Sequence, residues 1–130
     1  HTLPWTPPEK TYVAVTPKEA IAGFCAVGSC RDDDAPDEGE VYMLYVAPEH
    51  WRGGVGRLLF ETGVRYLRTR PFTGLKLWVL KDNVRARTFY ERAGWTPDGK
   101  VKPSFNKPDL DQVRYQFCGR SSEDDSPEIL

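Results

Sequence analysis

The first half of the chain alternates short apolar runs with polar turns, a pattern typical of strands. Residues 11–15 are β-branched and aromatic and predict a strand. The apolar run at residues 20–27 predicts a second strand that pairs with the first as a hairpin. Gly23 within it predicts a bulge or a close approach of another backbone. Residues 40–47 are almost wholly apolar after Glu40 and therefore predict a third, central strand.

Three- and four-residue spacings replace this pattern after the third strand. Residues 54–70 predict a helix that ends before Pro71. Its predicted apolar face consists of Val55, Leu58, Leu59, Thr62, Tyr66 and Leu67. Several arginines lie off that face, and those in the last turn suit the negative end of the helix dipole.

A strand and a second helix follow at the same kind of spacing. Residues 74–80 predict the strand, and residues 84–93 predict the helix. Asp82 or Asn83 can cap this helix at its start, and Gly94 suits the position just past its end.

The resulting order of elements is β-β-β-α-β-α-β-β, with two closing strands at residues 95–104 and 109–118. Strand–helix–strand crossovers imply a mixed, partly parallel sheet with helices packed on it, which places the chain in the α/β (α+β) class. We expect an extended segment at residues 1–10, one domain at residues 11–119, and a flexible acidic tail at residues 120–130.

Composition limits the classes of function. The 130 residues carry a formal net charge of -1, so nothing argues for a nucleic acid or an anionic membrane as partner. The three cysteines, Cys25, Cys30 and Cys118, lack CxxC spacing, which argues against a disulfide framework or a zinc site. Cys25 reads as a small buried hydrophobe, and a reducing cytoplasm is the natural compartment. His1 and His50 are too isolated to form a metal site.

A glycine cluster between two arginines marks the junction of the third strand and the first helix. It consists of Arg52, Gly53, Gly54, Val55, Gly56 and Arg57. Glycines let a ligand approach the main chain, and the first N–H groups of a helix attract anions, so the cluster predicts a diphosphate cradle. It lacks the Gly-Lys-Ser/Thr ending of a P-loop, and Leu59 stands where a dinucleotide fingerprint has its third glycine. A glycine-rich turn without a ligand, or a nucleotide-binding regulator, are the alternatives.

Two stretches resemble the GNAT superfamily of N-acetyltransferases. The first, Val46-Ala-Pro-Glu-His-Trp-Arg-Gly-Gly-Val-Gly-Arg-Leu-Leu59, is similar to the pyrophosphate-binding motif of that family. The second, Leu77-Trp-Val-Leu-Lys-Asp-Asn-Val-Arg-Ala-Arg-Thr-Phe-Tyr-Glu-Arg-Ala-Gly-Trp95, is similar to its Asn-x-x-Ala-x-x-Phe-Tyr motif. The resemblance covers residues 11–118. Trp51 departs from it, since the family usually has glutamine or arginine there.

The resemblance implies acetyl-CoA as cosubstrate and no metal. The backbone of Leu44, Tyr45 and Val46 would pair with the pantetheine arm. The N–H groups of residues 52–57 would hold the pyrophosphate. Asn83 would contact the cofactor near the mouth of the splayed strands, and Tyr90 would lie near the thioester sulfur.

The resemblance also assigns catalytic roles. Tyr90 would protonate the departing thiolate, for which a phenol is a reasonable donor. Glu40 matches the glutamate that some histone-acetylating members use as general base, and Trp78 stands where other members have theirs. The alternatives are a core aromatic for Tyr90 and a surface residue at a strand end for Glu40.

We therefore expect an N-acetyltransferase that acts on a primary amine by direct transfer in a ternary complex. A CoA-binding sensor or interaction module without turnover is the alternative. The usual first strand and two helices of the family have no counterpart before residue 11, so a partner chain, including a second copy in a homodimer, could cover the sheet. The acidic loop at residues 32–40 favours a cationic acceptor, and Lys107 and Asp109 are candidates to line the opening.

Overall fold

A computed structural model of the protein describes residues 8–117. Its strands are β1 (Lys10–Val15), β2 (Ile21–Ser29), β3 (Gly39–Val46), β4 (Leu75–Leu80), β5 (Thr96–Pro103) and β6 (Asp111–Phe117). The helices are α1 (Val55–Arg68) and α2 (Val84–Arg92), with a short 3-10 helix at Pro48–His50. The predicted order of elements and the α/β class are confirmed. The predicted tail at residues 120–130 and Cys118 lie outside the described residues.

Contacts divide the chain within β4 into two compact units, residues 1–77 and residues 78–130. In the first unit the strand order is β1-β2-β3-β4. β2 runs antiparallel to both β1 and β3, whereas β3 and β4 run parallel. β3 therefore has a strand on each side, which confirms its predicted central position. Neither helix within residues 8–117 is long and apolar enough to cross a lipid bilayer.

Gly23 lies where β2 passes very close to β3. A Cβ atom built on Gly23 would be 2.4 Å from the carbonyl oxygen of Tyr45 and 3.1 Å from Cδ1 of Leu59. The pairing of β1 with β2 also shifts register between Ala14 and Val15. The predicted close approach is confirmed, and any side chain at Gly23 would push β3 and α1 away from β2.

α1 covers one face of the sheet in the first unit. Its buried residues are Leu59, Phe60, Gly63 and Leu67. A Cβ on Gly63 would lie 2.9 Å from the Cys25 sulfur, so this glycine lets the helix approach β2 closely. Burial raises the pKa of the Cys25 thiol to about 12, in keeping with its predicted role as a small core residue. The predicted apolar face was wrong at Leu58, which is 63% exposed.

The second unit consists of the end of β4, α2 and the closing strands, in the strand order β4-β6-β5. β5 and β6 pair antiparallel. Asn83 caps the start of α2, because its side-chain oxygen accepts a hydrogen bond from Ala86 N–H at 3.1 Å. Gly94 follows the end of the helix at φ 95°. Both predicted helix-end signals are thus confirmed. Trp95 and Tyr115 form the most deeply buried part of this unit.

Candidate functional site

The end of β3 presents an unusual strand edge. Ala47 N–H donates to the Ala22 carbonyl at 2.8 Å, so its polar groups face β2. Backbone polar groups alternate along a strand, so those of Val46 face away from β2. The described pairing of β3 with β4 covers Gly39, Glu40 and Val41 and does not extend to this end. Val46 therefore lies where an extended ligand could pair with the strand.

Trp51 closes the turn that follows β3. Its indole N–H donates to the Val46 carbonyl oxygen at 2.8 Å, while its backbone N–H donates to the Pro48 carbonyl at 3.1 Å. About half of the residue is exposed (48%). The sequence identified Trp51 only as a departure from the family motif. The link to Val46 spans five residues of irregular chain, and no periodicity indicates it.

The turn then passes through left-handed backbone. Arg52 has φ 68° and Gly54 has φ 87°, which are backbone conformations that residues other than glycine rarely adopt. A Cβ on Gly54 would meet nothing within 4 Å. Glycine is therefore favoured at Gly54 by its backbone angle and not by crowding.

α1 starts at this turn without a side-chain cap. Gly54 is the N-cap, and its carbonyl accepts the Leu58 N–H at 3.0 Å. The N–H groups of Val55, Gly56 and Arg57 precede that bond, at the positive end of a 14-residue helix. Such an end can bind a phosphate through backbone N–H groups.

Gly56 has a packing role beside its predicted place in the cradle. A Cβ there would lie 3.2 Å from Cγ2 of Val46, so the missing side chain lets α1 pack against β3. The charge of Arg57 is also shared, because its Nε lies 2.8 Å from Oε2 of Glu61 in an exposed i,i+4 pair. The predicted cradle would therefore depend more on backbone N–H groups than on the Arg57 side chain.

Glu40 is held inside the first unit. It is 6% exposed, and its Oε1 accepts the Arg31 backbone N–H at 2.9 Å. Its strand partners are Gly28 on β2 and Lys76 on β4. The alternative interpretation of Glu40 as a surface residue is therefore wrong. Its role as base stays a prediction.

Backbone hydrogen bonds hold the acidic loop before β3. Cys30 N–H donates to the Glu38 carbonyl at 2.8 Å, and Ala35 within the loop is buried. Glu38 forms an ion pair at 3.0 Å with Lys76, whose side chain is only 8% exposed. Part of the loop's negative charge thus serves internal structure, and Asp33 is among the acidic residues that face solvent.

In the second unit Asn83 borders a small cavity of about 220 Å³. The lining residues are Leu80, Asp82, Asn83, Leu110 and Asp111. The side-chain oxygen of Asn83 is used for capping α2, which gives this residue a structural role beside the predicted contact with a cofactor. The predicted lining residues Lys107 and Asp109 are exposed and do not border this cavity.

Tyr90 lies on the buried face of α2, with 8% of its surface exposed. Its ring centre is 5.5 Å from that of Phe89 and 6.3 Å from that of Tyr115. The Tyr115 hydroxyl accepts from Arg87 Nε at 2.9 Å and donates to Glu91 Oε2 at 2.5 Å. Burial and the Glu91 carboxylate raise the pKa of Tyr115. Sequence reasoning missed Tyr115, because it lies on a distant strand.

The predicted site residues thus fall into two groups, one in each unit. The strand edge at Val46, the turn at Trp51 and the start of α1 at Gly54 adjoin one another in the first unit. Asn83 and Tyr90 lie on α2 in the second unit.

Comparison with known proteins supports the motif-based expectation. Residues 2–95 match the family described as Acetyltransferase (GNAT) family. The chain is 34% identical over 118 residues to a mycothiol acetyltransferase of Propionibacterium freudenreichii, covering 91% of this chain and 36% of that protein. Across the curated relatives that it matches, the chain spans between a fifth and about half of their length.

Solved structures show the same fold. Nourseothricin acetyltransferase superposes with a TM-score of 0.73 and 27% identity, covering 92% of this chain and 71% of that one. A putative streptothricin acetyltransferase from Bacillus anthracis, solved with acetyl coenzyme A, gives a TM-score of 0.69 and 19% identity over 88% of this chain and 65% of that one.

Proposed function

The chain belongs to the GNAT family of acetyltransferases, and we propose from this premise that it transfers an acetyl group from acetyl-CoA to a primary amine. The observation that carries the proposal is the uncapped start of α1. A glycine N-cap at φ 87° leads into a 14-residue helix directly after the strand edge at Val46. Backbone N–H groups at such a helix start suit the diphosphate of CoA.

In the proposed reaction the pantetheine arm pairs with the backbone of Leu44, Tyr45 and Val46. The acceptor amine attacks the thioester carbonyl carbon, the C–N bond forms, and the C–S bond breaks. A strand-edge N–H near Val46 stabilises the developing oxyanion. Asn83 contacts the cofactor, and Tyr90 gives its phenolic proton to the departing CoA thiolate.

Glu40 is the proposed base in this scheme. It lies six residues before Val46, about 20 Å along the strand, so it would collect the proton of the amine through a chain of water molecules. Its burial and its hydrogen bond from Arg31 hold the carboxylate in one position. The reaction needs no metal.

The proposed acceptor is a cationic amine of a small molecule or a peptide, because solvent-facing carboxylates of the acidic loop, such as Asp33, attract positive charge. The relatives and structural neighbours of the chain include mycothiol, nourseothricin and putative streptothricin acetyltransferases as well as a ribosomal-protein-S18-alanine N-acetyltransferase. We place the reaction in the cytoplasm, because three cysteines without CxxC spacing suit a reducing compartment.

Release of free CoA tests the proposal directly. The protein is incubated with acetyl-CoA and a panel comprising a polyamine, an aminoglycoside, lysine and a peptide with a free N-terminus. We expect amine-dependent CoA release with at least one class. Absence of acetyl-CoA binding would refute the proposal.

A CoA-binding module without turnover is the second candidate. The observation that favours it is the burial of both proposed catalytic side chains, Glu40 at 6% and Tyr90 at 8% exposed. Tight binding of acetyl-CoA with no CoA release from any amine, in a chain that includes the whole protein, would establish this candidate instead.

A further inference from the structure

Trp51 stands between the two parts of the proposed cofactor site. On one side is the edge of β3, which would pair with the pantetheine arm. On the other is the turn through Arg52 and Gly54, which leads to the uncapped start of α1. Trp51 contacts the first part through its side chain and belongs to the second through its backbone.

We propose that Trp51 is a positioning residue for acetyl-CoA, acting through the hydrogen bond from its indole N–H to the Val46 carbonyl. This inference rests on the proposed function, because it deepens the description of that same cofactor site.

The bond decides which group of Val46 faces a ligand. The N–H and the carbonyl of Val46 both point away from β2. A strand added on that side would normally form hydrogen bonds with both groups. The Val46 carbonyl oxygen already accepts the indole N–H of Trp51 at 2.8 Å. Val46 therefore offers its N–H to the acyl arm, the group that the proposed reaction uses near the oxyanion.

The bond also sets the path of the turn. Residues 47–54 form no regular helix or strand beyond the 3-10 helix at Pro48–His50, and the turn passes through positive φ at Arg52 and Gly54. The backbone hydrogen bonds within this segment join only near neighbours, such as His50 N–H to the Ala47 carbonyl and Gly53 N–H to the His50 carbonyl. Tying Trp51 to Val46 joins the strand edge and the helix start into one rigid surface, so less ordering is needed when the cofactor binds.

The contact is not a consequence of core packing. Trp51 is 48% exposed, and its neighbour Val46 is itself only partly covered. A glutamine at this position would also carry an N–H donor, so the variant Trp51→Gln tests whether a donor without the indole ring is sufficient.

The test compares Trp51→Phe, which keeps an aromatic ring without the N–H donor, with Trp51→Gln, which keeps a donor without the ring. Both are made in the full chain, with Phe105→Leu as a control, because Phe105 is an almost fully exposed aromatic residue in the other unit. The measurements are KM for acetyl-CoA, KM for the amine, kcat, and the dissociation constant of acetyl-CoA by titration calorimetry.

We expect Trp51→Phe to raise KM and the dissociation constant for acetyl-CoA by about 3- to 10-fold, the usual effect of one neutral hydrogen bond, with kcat within about 2-fold of wild type. Trp51→Gln should recover most of that loss, and Phe105→Leu should behave as wild type. Unchanged acetyl-CoA affinity in Trp51→Phe would overturn the inference, as would a Gln variant as weak as the Phe variant. Failure of the wild-type protein to bind acetyl-CoA would instead refute the proposed function, and the inference with it.

Discussion

Glu40 Oε1 accepts the backbone N–H of Arg31 at 2.9 Å, so the candidate base also anchors the start of the acidic loop. A substitution that removes the side chain would change the loop and the chemistry together. Glutamine keeps an oxygen at the same position and removes only the charge, which makes it the informative replacement.

Glu40→Gln should lower kcat/KM for the amine at neutral pH and move the rate profile towards higher pH. Without a base, the reaction depends on amine that is already deprotonated in solution. The check is kcat/KM against pH, with Glu19→Gln at an exposed turn as control. A profile that overlies the wild-type curve would remove Glu40 from the mechanism.

Tyr90→Phe should lower kcat by about 10-fold or more while KM for acetyl-CoA stays near the wild-type value, because only the proton donor is lost. The ring and its packing against Tyr115 and Phe89 are kept. Steady-state kinetics with acetyl-CoA and the best amine provide the measurement, and Tyr12→Phe on β1 is the matched control. An unaltered kcat would assign Tyr90 to the core alone.

Gly54→Asp should weaken acetyl-CoA binding by about 10-fold or more relative to Gly54→Asn. Both side chains have nearly the same size and both tolerate positive φ better than most residues, so the pair separates charge from backbone strain. The carboxylate would repel the diphosphate at the helix start. Calorimetric titration with acetyl-CoA measures the ratio, and equal affinities for the two variants would contradict the phosphate cradle.

Glu9 should contribute stability that depends on pH. Its carboxylate accepts hydrogen bonds from Arg70, Tyr66 and Ser29, and chiefly the Arg70 bond lowers the pKa of Glu9 below the usual value of a glutamate. A lowered folded pKa stabilises the fold above the unfolded pKa, and this contribution is lost as pH falls through the folded pKa.

Wild type should therefore melt at a higher temperature than Glu9→Gln at pH 7, and the difference should shrink as pH falls below about 4.5. Arg70→Gln should reproduce the effect from the other side of the pair. Thermal unfolding followed by circular dichroism at several pH values measures it. A gap that persists unchanged at pH 3 would mean that the charge of Glu9 is not the cause.

Asp98 and Arg114 form a buried ion pair in the second unit, 2.7 Å apart with side chains 9% and 5% exposed. Asp98→Ala should lower the free energy of unfolding by about 3 kcal/mol, because it leaves a guanidinium buried without its carboxylate. Urea unfolding measures the change. Asp109→Ala, at an exposed position, should change it by less than about 0.5 kcal/mol. Equal effects of the two substitutions would contradict the importance of the pair.

The sequence by itself determined the elements, the helix ends and the family motifs. These depend on residues close together in the chain: β-branched runs for strands, Asn83 three residues before Ala86 for a cap, and Gly94 just past the end of α2 for a helix stop. Local propensity and spacing are sufficient for such features, because the interactions behind them span only a few residues. The predicted role of Glu40 as base came from the family resemblance, by counting residues back from Gly54.

Only the tertiary structure decided what these residues touch. Glu40 is buried because Gly28 and Lys76 flank it from other strands, and Leu58 is exposed because α1 turns its Leu59 side to the sheet. Tyr115 donates a hydrogen bond to Glu91 on α2, although it lies 24 residues further along the chain. Such contacts depend on strand register and on how helices pack, which are set by the summed burial of many side chains and leave no periodic signal in the sequence.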